Sequence, residues 1–321
     1  MYADSLPKIY ILHENPEWLE PIADCLSQMK IPFEAWDLAE GYVPLNSPPP
    51  QGVFYNKMSA SSFSRGHLHA KDLTAPLLAW LEMHDRRIIN KRRALQLEVS
   101  KAEQQIALQK VGLKTPESFI THGKKALLDA ANKFLPRPFI LKPNQGGKGL
   151  GVRLFSSLEE VETQVDMLGL ENMTVDGTLI VQEYIPAKNQ EVIRMEFIGG
   201  KFFYAVKVQT GGGFELCPAD ACEIDPKNPG KTLPEFQIME DFFVPEISLC
   251  ESFLSENEIE IAGMEFLENE AGERFFYDVN TNTNYNSAAE SRSSTRKAGI
   301  EEVCKFLASE LASLYPSLSQ G

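Results

Sequence analysis

Residues 139–152 read FILKPNQGGKGLGV, and this stretch decides how the rest of the chain is interpreted. A short apolar run ends at Lys142, a glycine-rich turn containing Lys148 follows, and an apolar strand resumes at Val152. Glycine has no Cβ, so successive glycines let backbone N–H groups point into one concave loop. Two lysines beside such a loop indicate a binding site for a polyphosphate.

Two widespread phosphate-binding motifs do not describe this turn. The chain has no G-x-x-x-x-G-K-[ST] sequence, and the turn joins a strand to a strand rather than a strand to a helix. No βαβ unit follows it, which excludes a dinucleotide-binding fingerprint. The turn therefore indicates a nucleotide site of a different architecture.

The composition is that of a globular enzyme with an acidic surface. Of the 321 residues, 43% are apolar and 24% are charged, and the formal net charge is −14. This charge argues against nucleic acid and against an anionic membrane surface as general partners. Lysines that cluster in so acidic a chain require a specific reason, and a phosphate ligand supplies one.

The sequence gives no sign of a membrane or export signal. No run of 18 apolar residues occurs, and residues 1–8 lack a basic start followed by an apolar segment. The five cysteines are odd in number and lack metal-binding spacing, which favours reduced structural thiols. We therefore expect a cytoplasmic protein.

The first 90 residues have the pattern of a small α/β domain. Apolar strands are predicted at residues 8–12, 33–36 and 52–58, with a helix over 16–29. Three consecutive prolines at 48–50 predict a loop.

The middle of the chain begins with a predicted helix over residues 92–111. Leu95, Val99, Ala102 and Ile106 recur at steps of four, three and four, which predicts one apolar face. Shorter elements follow at 117–121, 124–134, 138–142 and 151–155. Residues 210–250 look irregular. Strands otherwise dominate from residue 178 onward, and they are predicted at 178–184, 191–198, 201–209, 258–267 and 273–280. A closing helix is predicted over residues 299–314.

An acidic hairpin carries the second strong signal. If it closes across Glu268 and Glu273, alternation along the strands places Glu265, Asp278 and Asn280 on one face. Two carboxylates and an amide oxygen suit a hard cation such as magnesium. The competing interpretation is a solvated strand face, which normally carries charges, and a one-residue slip in register would separate the three groups.

Taken together, these motifs resemble the ATP-grasp superfamily in its carboxylate–amine ligase branch. The likeness is to RimK-like enzymes and, more distantly, to glutathione synthetase and D-alanine–D-alanine ligase. It covers residues 90–290 well and the first 90 residues loosely. It implies an α/β (α+β) ATP-grasp fold with an N-terminal α/β domain (1–90), a central lid (91–184) and a C-terminal antiparallel-sheet domain (185–321).

The resemblance also implies roles for individual residues. Phosphate contacts fall on Lys101 and Lys142, and Arg194 lies near the transferred phosphate, so that Arg194 and Lys142 are the candidate catalytic residues. The metal ligands correspond to Glu265, Asp278 and Asn280. The remaining residues expected around ATP are Gly146, Gly147, Lys148, Gly149, Gln182, Glu183, Tyr184, Ile185 and Glu191.

The reaction implied by the resemblance is formation of an amide bond. A carboxylate takes the γ-phosphoryl group of ATP to give an acyl phosphate, which an amine then attacks. ATP and Mg²⁺, with Mn²⁺ as an alternative ion, are the expected cofactors, and a homo-oligomer is the implied assembly. The family's Pro-Gly after the metal strand is absent, because residues 278–286 read DVNTNTNYN. This departure leaves the substrates open.

Two polar segments are candidates for substrate recognition. Lys57, Ser59 and Arg65 lie in a hydroxyl-rich segment after a predicted strand, and Arg292 and Arg296 are four residues apart. Arginine suits planar carboxylates. For each segment the alternative is an ordinary solvated surface.

Two other functions remain open at this point. An ATP-grasp small-molecule kinase would keep the nucleotide and metal residues but phosphorylate a hydroxyl group. A non-catalytic nucleotide-binding module would have no need of the complete set of lysines and metal ligands.

Overall fold

The computed structural model describes residues 6–147, 149–209, 236–295 and 297–316. Within these residues the chain forms three sheets, with helices packed against them. No helix in the described part is long and apolar enough to cross a membrane. Cys25, Cys250 and Cys304 are free thiols, as expected, and Cys217 and Cys222 lie outside the described residues.

The N-terminal sheet is parallel, with strand order β2-β1-β3-β4. Ile11 and Val53 on one face pack against the first and last helices, and Tyr10 and Phe54 on the other pack against the second helix. Because all four strands run the same way, their carboxyl ends meet at one edge. The elements are β1 (Lys8–His13), α1 (Pro16–Gln28), β2 (Phe33–Asp37), β3 (Gly52–Asn56), α2 (Ala70–Met83), β4 (Arg87–Ile89) and the terminal α9 (Gly299–Leu314).

The central sheet is antiparallel, with order β5-β8-β6-β7. Phe139, Leu141 and Val181 form a core with the helices that cover one face. The opposite face is left for the site described below. The elements are β5 (Ser118–Thr121), α5 (Lys124–Asn132), β6 (Phe139–Pro143), β7 (Arg153–Phe155), α6 (Leu158–Leu168) and β8 (Leu179–Glu183).

The C-terminal sheet is antiparallel, with order β11-β10-β9-β12-β13. Met195, Phe197 and Met264 pack on α3, α4 and α7, whereas Val192 and Tyr204 on the other face pack toward α8. The elements are α3 (Arg92–Glu98), α4 (Lys101–Lys110), β9 (Glu191–Ile198), β10 (Lys201–Gln209), β11 (Phe236–Met239), α7 (Ile247–Glu256), β12 (Ile261–Glu268), β13 (Arg274–Asn280) and α8 (Ser287–Arg292).

The prediction of one helix over residues 92–111 was wrong. Ser100 has extended backbone angles (φ −142°, ψ 100°), and its hydroxyl accepts a hydrogen bond from the N–H of Glu103, so a second helix begins at Lys101. Serine prefers this cap position because its side chain satisfies an N–H that the helix leaves free. Ile106, predicted to be buried, is 67% exposed.

The predicted register of the acidic hairpin was also wrong. Glu268 pairs with Arg274 rather than Glu273, and a β-bulge next to Phe276 then shifts the pairing by one further residue. As a result Glu265 lies directly opposite Asp278. The bulge inserts Tyr277, whose side chain joins the same polar face, and the predicted convergence of the carboxylates survives for a different reason.

Most other predicted elements are confirmed within a few residues, and the closing helix has the predicted bounds. The irregular segment 210–250 was predicted incorrectly in part, because β11 and the start of α7 lie within it. Its glycine triplet at 211–213 lies outside the described residues. The three domain boundaries stay a prediction.

Candidate active site

A cavity of about 680 Å³ lies between the three sheets, and each sheet contributes part of its wall. The turn around Ser59 comes from the N-terminal sheet, Lys142 from the central sheet, and Arg194 from the C-terminal sheet. A cavity of this size accommodates a ligand as large as a nucleotide.

The cavity brings together most of the residues singled out in the sequence. Those that line it are Ser59, Lys101, Lys142, Gly146, Gly147, Gly149, Gln182, Glu183, Tyr184, Ile185, Arg194, Glu265, Asp278 and Asn280. Lys57, Arg65, Glu191 and Arg292 are not part of this wall. Lys148 and Arg296 lie outside the described residues.

The two predicted metal-binding carboxylates share one corner of the cavity. The Nδ2 of Asn280 lies 3.2 Å from Glu265 Oε1 and 3.2 Å from Asp278 Oδ2, and the hydroxyl of Tyr277 donates to Glu265 across 3.1 Å. Burial raises the pKa of Glu265 to about 7, with the Asp278 charge acting in the same direction. Concentrated negative charge in a buried corner favours a bound cation.

This donor set fits a hard divalent ion. It offers two carboxylates and the amide of Asn280, whose oxygen takes the place of its nitrogen when the amide rotates. Oxygen ligands of this kind suit magnesium, which keeps part of its shell for water and phosphate. Among the described residues no group of three or more His, Cys, Asp or Glu side chains forms a metal site, so the amide is needed to complete the set.

Lys101 and Asp278 form an ion pair that connects α4 to the acidic corner. Burial alone would lower the pKa of Lys101, but Asp278 outweighs it and raises that pKa. Burial likewise opposes ionisation of Asp278, but Lys101 lowers its pKa below the ordinary value. Both groups are therefore charged, and the helix break at Ser100 is what brings Lys101 to this position.

Lys142, near the end of β6, is a buried lysine without a partner in the part of the chain that the structure describes. It is 8% exposed, and among the described residues it has no hydrogen bond or ion pair. Burial and, after it, the nearby charge of Lys101 lower its pKa to about 7. Because an unpaired buried charge is costly, this lysine is suited to an anionic ligand.

Arg194 occupies the floor of the cavity at 2% exposure. Its guanidinium donates to Glu196 at 2.6 Å, to Glu265 at 2.7 Å and to the hydroxyl of Thr283 at 2.6 Å. Burial would lower its pKa, but the two carboxylates raise it above the ordinary value, so it stays protonated. Three of its five N–H donors are used, and two remain for a ligand.

The start of the glycine turn is attached to two other segments of the chain. The side chain of Asn144 accepts a hydrogen bond from the N–H of Ala102 at 2.9 Å, which fixes the turn on the first residues of α4. Gln145 donates to the carbonyl of Ala60 at 3.4 Å. A Cβ on Gly147 would lie 3.2 Å from the Cβ of Ser61, so turn and N-terminal domain are in close contact.

The end of β8 forms the other side of the cavity. Gln182 is 6% exposed, and Glu183 accepts a hydrogen bond from Arg137 at 3.2 Å. The same part of the wall is apolar, with side chains that suit the faces of a planar ring, namely Ile140, Leu150, Val152, Val192 and Leu267. Glu191 points elsewhere and pairs with Lys207 at 3.4 Å.

Three residues important to the site had no sequence signal of their own. Glu196 and Thr283 hold Arg194, and Glu98 connects two segments of the wall. Glu98 accepts from the N–H of Ala60 at 3.0 Å and from the N–H of Thr281 at 2.8 Å. Burial raises the pKa of Glu98.

The remaining candidate arginines are held by the protein itself. Arg65 pairs with Glu14 and stacks on the ring of Trp18, 4.7 Å from the ring centroid. Arg292 is exposed and donates to the carbonyl of Phe236 at 3.2 Å. Their predicted roles in substrate binding stay predictions.

The chain is similar to known proteins in part of its sequence and in its fold. Residues 97–215 match the family model of the RimK-like ATP-grasp domain. A D-alanine–D-alanine ligase of Anaplasma centrale is 34% identical over 93 residues, which are 29% of this chain and 41% of that protein. A probable alpha-L-glutamate ligase of Alcanivorax borkumensis is 27% identical over 106 residues, 33% of this chain and 34% of that protein.

Each of these curated relatives is matched over less than half of its own length. A solved structure covers more of the chain: the ATP-grasp ligase PsnB, complexed with a minimal precursor, Mg and ADP, has a TM-score of 0.64 at 13% identity. That likeness covers 96% of this chain and 99% of PsnB. The fold is therefore the ATP-grasp fold. Within this chain, residues 97–215 are the part similar to the RimK-like ATP-grasp domain.

Proposed function

We propose that this protein is an ATP- and magnesium-dependent ligase that joins a carboxylate to an amine. The observation that carries the proposal is the convergence of Lys101, Lys142 and Arg194 with Glu265 and Asp278 in one cavity. Cations for a polyphosphate and oxygen ligands for a metal thus face the same space. The relatives' names support a ligase of the acid–amino-acid type, with ADP as product.

Different groups of residues bind the adenine, the phosphates and the magnesium ion of ATP. Gln182 to Ile185 and the apolar wall hold the adenine ring, and Lys101 and Lys142 bind the phosphates. Glu265, Asp278 and Asn280 hold magnesium, which when bound offsets phosphate charge. The glycine turn covers the phosphates and excludes water.

The reaction has two steps. An oxygen of the substrate carboxylate attacks the γ-phosphorus of ATP, the bond to the β-phosphate oxygen breaks, and ADP leaves from an acyl phosphate. The amine then attacks the acyl carbon, loses a proton, and releases inorganic phosphate. The two free N–H donors of Arg194 stabilise charge on the transferring phosphoryl group. No side-chain nucleophile is required.

The substrates proposed are an amino acid or a peptide together with an amine. The names of the relatives and of a PsnB structure refer to D-alanine, to L-glutamate and to a precursor peptide, and all of these carry both a carboxylate and an amino group. The absence of Pro-Gly after Asn280 sets this chain's acceptor segment apart from the family pattern.

Trapping of the activated carboxylate tests the proposal. The protein is incubated with ATP, magnesium, hydroxylamine and a panel of amino acids, dipeptides and dicarboxylic acids. We expect ADP release with formation of an acyl hydroxamate, and neither from the Asp278→Asn variant. A phosphorylated panel member without hydroxamate would establish a kinase instead, and no product from any panel member would contradict the proposal.

A further inference from the structure

A second buried lysine, Lys57, lies next to the part of the cavity wall that the N-terminal sheet contributes. Lys57 follows the last residue of β3, is 3% exposed, and has no hydrogen bond or ion pair to any residue that the structure describes. Its Nζ lies over the ring of Tyr55, 5.6 Å from the ring centroid. A buried ammonium without a partner destabilises the fold, so its presence requires an explanation.

The position of Lys57 is that of a ligand-binding residue. It lies at the carboxyl edge of the parallel N-terminal sheet, where ligands of open parallel sheets bind. Two residues further on, Ser59 lines the cavity, as do Ala60 and Ser61. Lys57 therefore lies directly behind the wall that the N-terminal domain contributes.

The charges of Glu14 and Glu98, which lie near this edge, are already satisfied by other groups. The carboxylate of Glu14, 1% exposed, pairs with Arg65 and lies 2.9 Å from His67 Nδ1. The carboxylate that acts on Lys57 from a distance is Glu98, whose oxygens are occupied by backbone N–H groups and by a threonine hydroxyl. Lys57 is thus the cation of this edge that lacks a counter-ion among the described residues.

One neighbouring group strengthens the argument. His13, 5% exposed, lies across from Lys57 at the end of β1, and its Nδ1 has no hydrogen-bond partner among the described residues. Burial lowers the pKa of His13, and the Lys57 charge acts in the same direction. Burial also lowers the pKa of Lys57 to about 8. An anion at this edge would satisfy both side chains.

We infer that Lys57 binds a carboxylate group of the substrate, at the end of the cavity bounded by the segment Ser59–Ser61. This inference rests on the proposed ligase function and adds the residue that selects an anionic substrate. The two unpaired buried lysines then have separate partners: Lys142 takes phosphate and Lys57 takes carboxylate. Arg65, the cation that the sequence favoured for this task, is already paired with Glu14.

The Lys57→Met variant tests the inference, with Lys91→Met as the matched control. Methionine keeps the length and apolar stem of the lysine, and Lys91 pairs with Glu258 on the surface. For Lys57→Met we expect an unchanged or higher melting temperature, because an uncompensated buried charge is removed. We expect affinity for AMP-PNP with magnesium to stay within about twofold, and KM for the carboxylate in the hydroxamate assay to rise about tenfold or more.

Each other outcome counts against the inference. An unchanged KM in Lys57→Met would overturn it whatever the melting temperature, and a parallel loss of AMP-PNP affinity would show a general disturbance of the cavity. An equal rise in KM in Lys91→Met would also contradict a specific role. If wild-type protein forms no hydroxamate from any panel member, the proposed function itself fails, and this result is distinct from a variant-specific change.

Discussion

The guanidinium of Arg194 lies directly against the backbone of Gly263 in the neighbouring strand. A Cβ at position 263 would lie 2.4 Å from Nη2 and 2.6 Å from Cζ of Arg194, closer than real side chains approach. Gly263 is therefore part of the site, because it leaves the space in which Arg194 reaches Glu265 and Thr283.

Gly263→Ala should displace Arg194 and reduce both stability and activity. We expect a loss of about 1–3 kcal/mol in the free energy of unfolding, the usual effect of an extra methyl group in a packed interior. The same substitution in an Arg194→Met background should cost much less, because the clash is with the guanidinium. Chemical denaturation of the wild-type protein, the two single variants and the double variant measures the coupling free energy between positions 263 and 194. Losses of stability that simply add in the double variant would contradict the account.

Asp278→Asn should remove the effect of magnesium on nucleotide binding. In wild-type protein, magnesium should strengthen AMP-PNP binding about tenfold or more, and the variant should lose this gain because one carboxylate ligand is missing. Glu273→Gln is the control, since Glu273 immediately precedes β13, the strand of Asp278, but pairs with Lys114 on the surface. Titration calorimetry with and without magnesium gives the comparison. A magnesium effect that persists in Asp278→Asn would remove this residue from the metal site.

Comparison of Ser100→Ala with Ser157→Ala should show whether the cap of α4 contributes to nucleotide binding as well as to helix stability. Loss of the cap should cost about 1 kcal/mol and loosen the first turn that carries Lys101. Ser157 caps α6 in the same way, through the N–H of Glu160, but lies away from the cavity. Ser157→Ala should therefore lose similar stability and keep its nucleotide affinity, whereas Ser100→Ala should lose affinity. Equal affinities in the two variants would count against a role for the cap.

Nucleotide binding should take up a proton at Lys142. Its pKa in the free protein is about 7 because of burial and the charge of Lys101, so at pH 8 the amine is largely neutral. A polyphosphate stabilises the charged form and raises this pKa in the complex. Affinity for AMP-PNP should therefore be highest below pH 7 and fall as the pH rises toward the pKa of the complex.

Calorimetry in buffers of different ionisation enthalpy counts the protons taken up. At pH 8 we expect about 0.9 proton for wild-type protein and a clearly smaller number for Lys142→Met. An equal uptake in the two proteins would assign the proton to another group.

Local sequence was sufficient for the features that depend on local chemistry. The glycine turn, the preceding Lys142 and the alternating apolar strands are all readable because the residues that define them are adjacent. The cap at Ser100 was readable too, since Ser100 and Glu103 have capping-box spacing, but the apolar period across residues 92–111 favoured one continuous helix.

Features that depend on contacts between distant segments could not be predicted. The bulge at Tyr277 shifts the pairing of β12 and β13, and no residue type in the hairpin predicts this bulge. Glu196 and Thr283 are 87 residues apart in the sequence, yet in the folded sheet the hydroxyl of Thr283 donates to Glu196 at 2.8 Å. The burial that makes Lys57 an unpaired cation is likewise a property of the assembled fold.

Mass spectrometry of the reaction products tests the central claim most directly. The protein is incubated with ATP, magnesium and a pooled set of amino acids, peptides and cell metabolites. The account predicts a new product whose mass equals two inputs minus one water, together with ADP. A product equal to one input plus a phosphoryl group, with no condensed product, would contradict it.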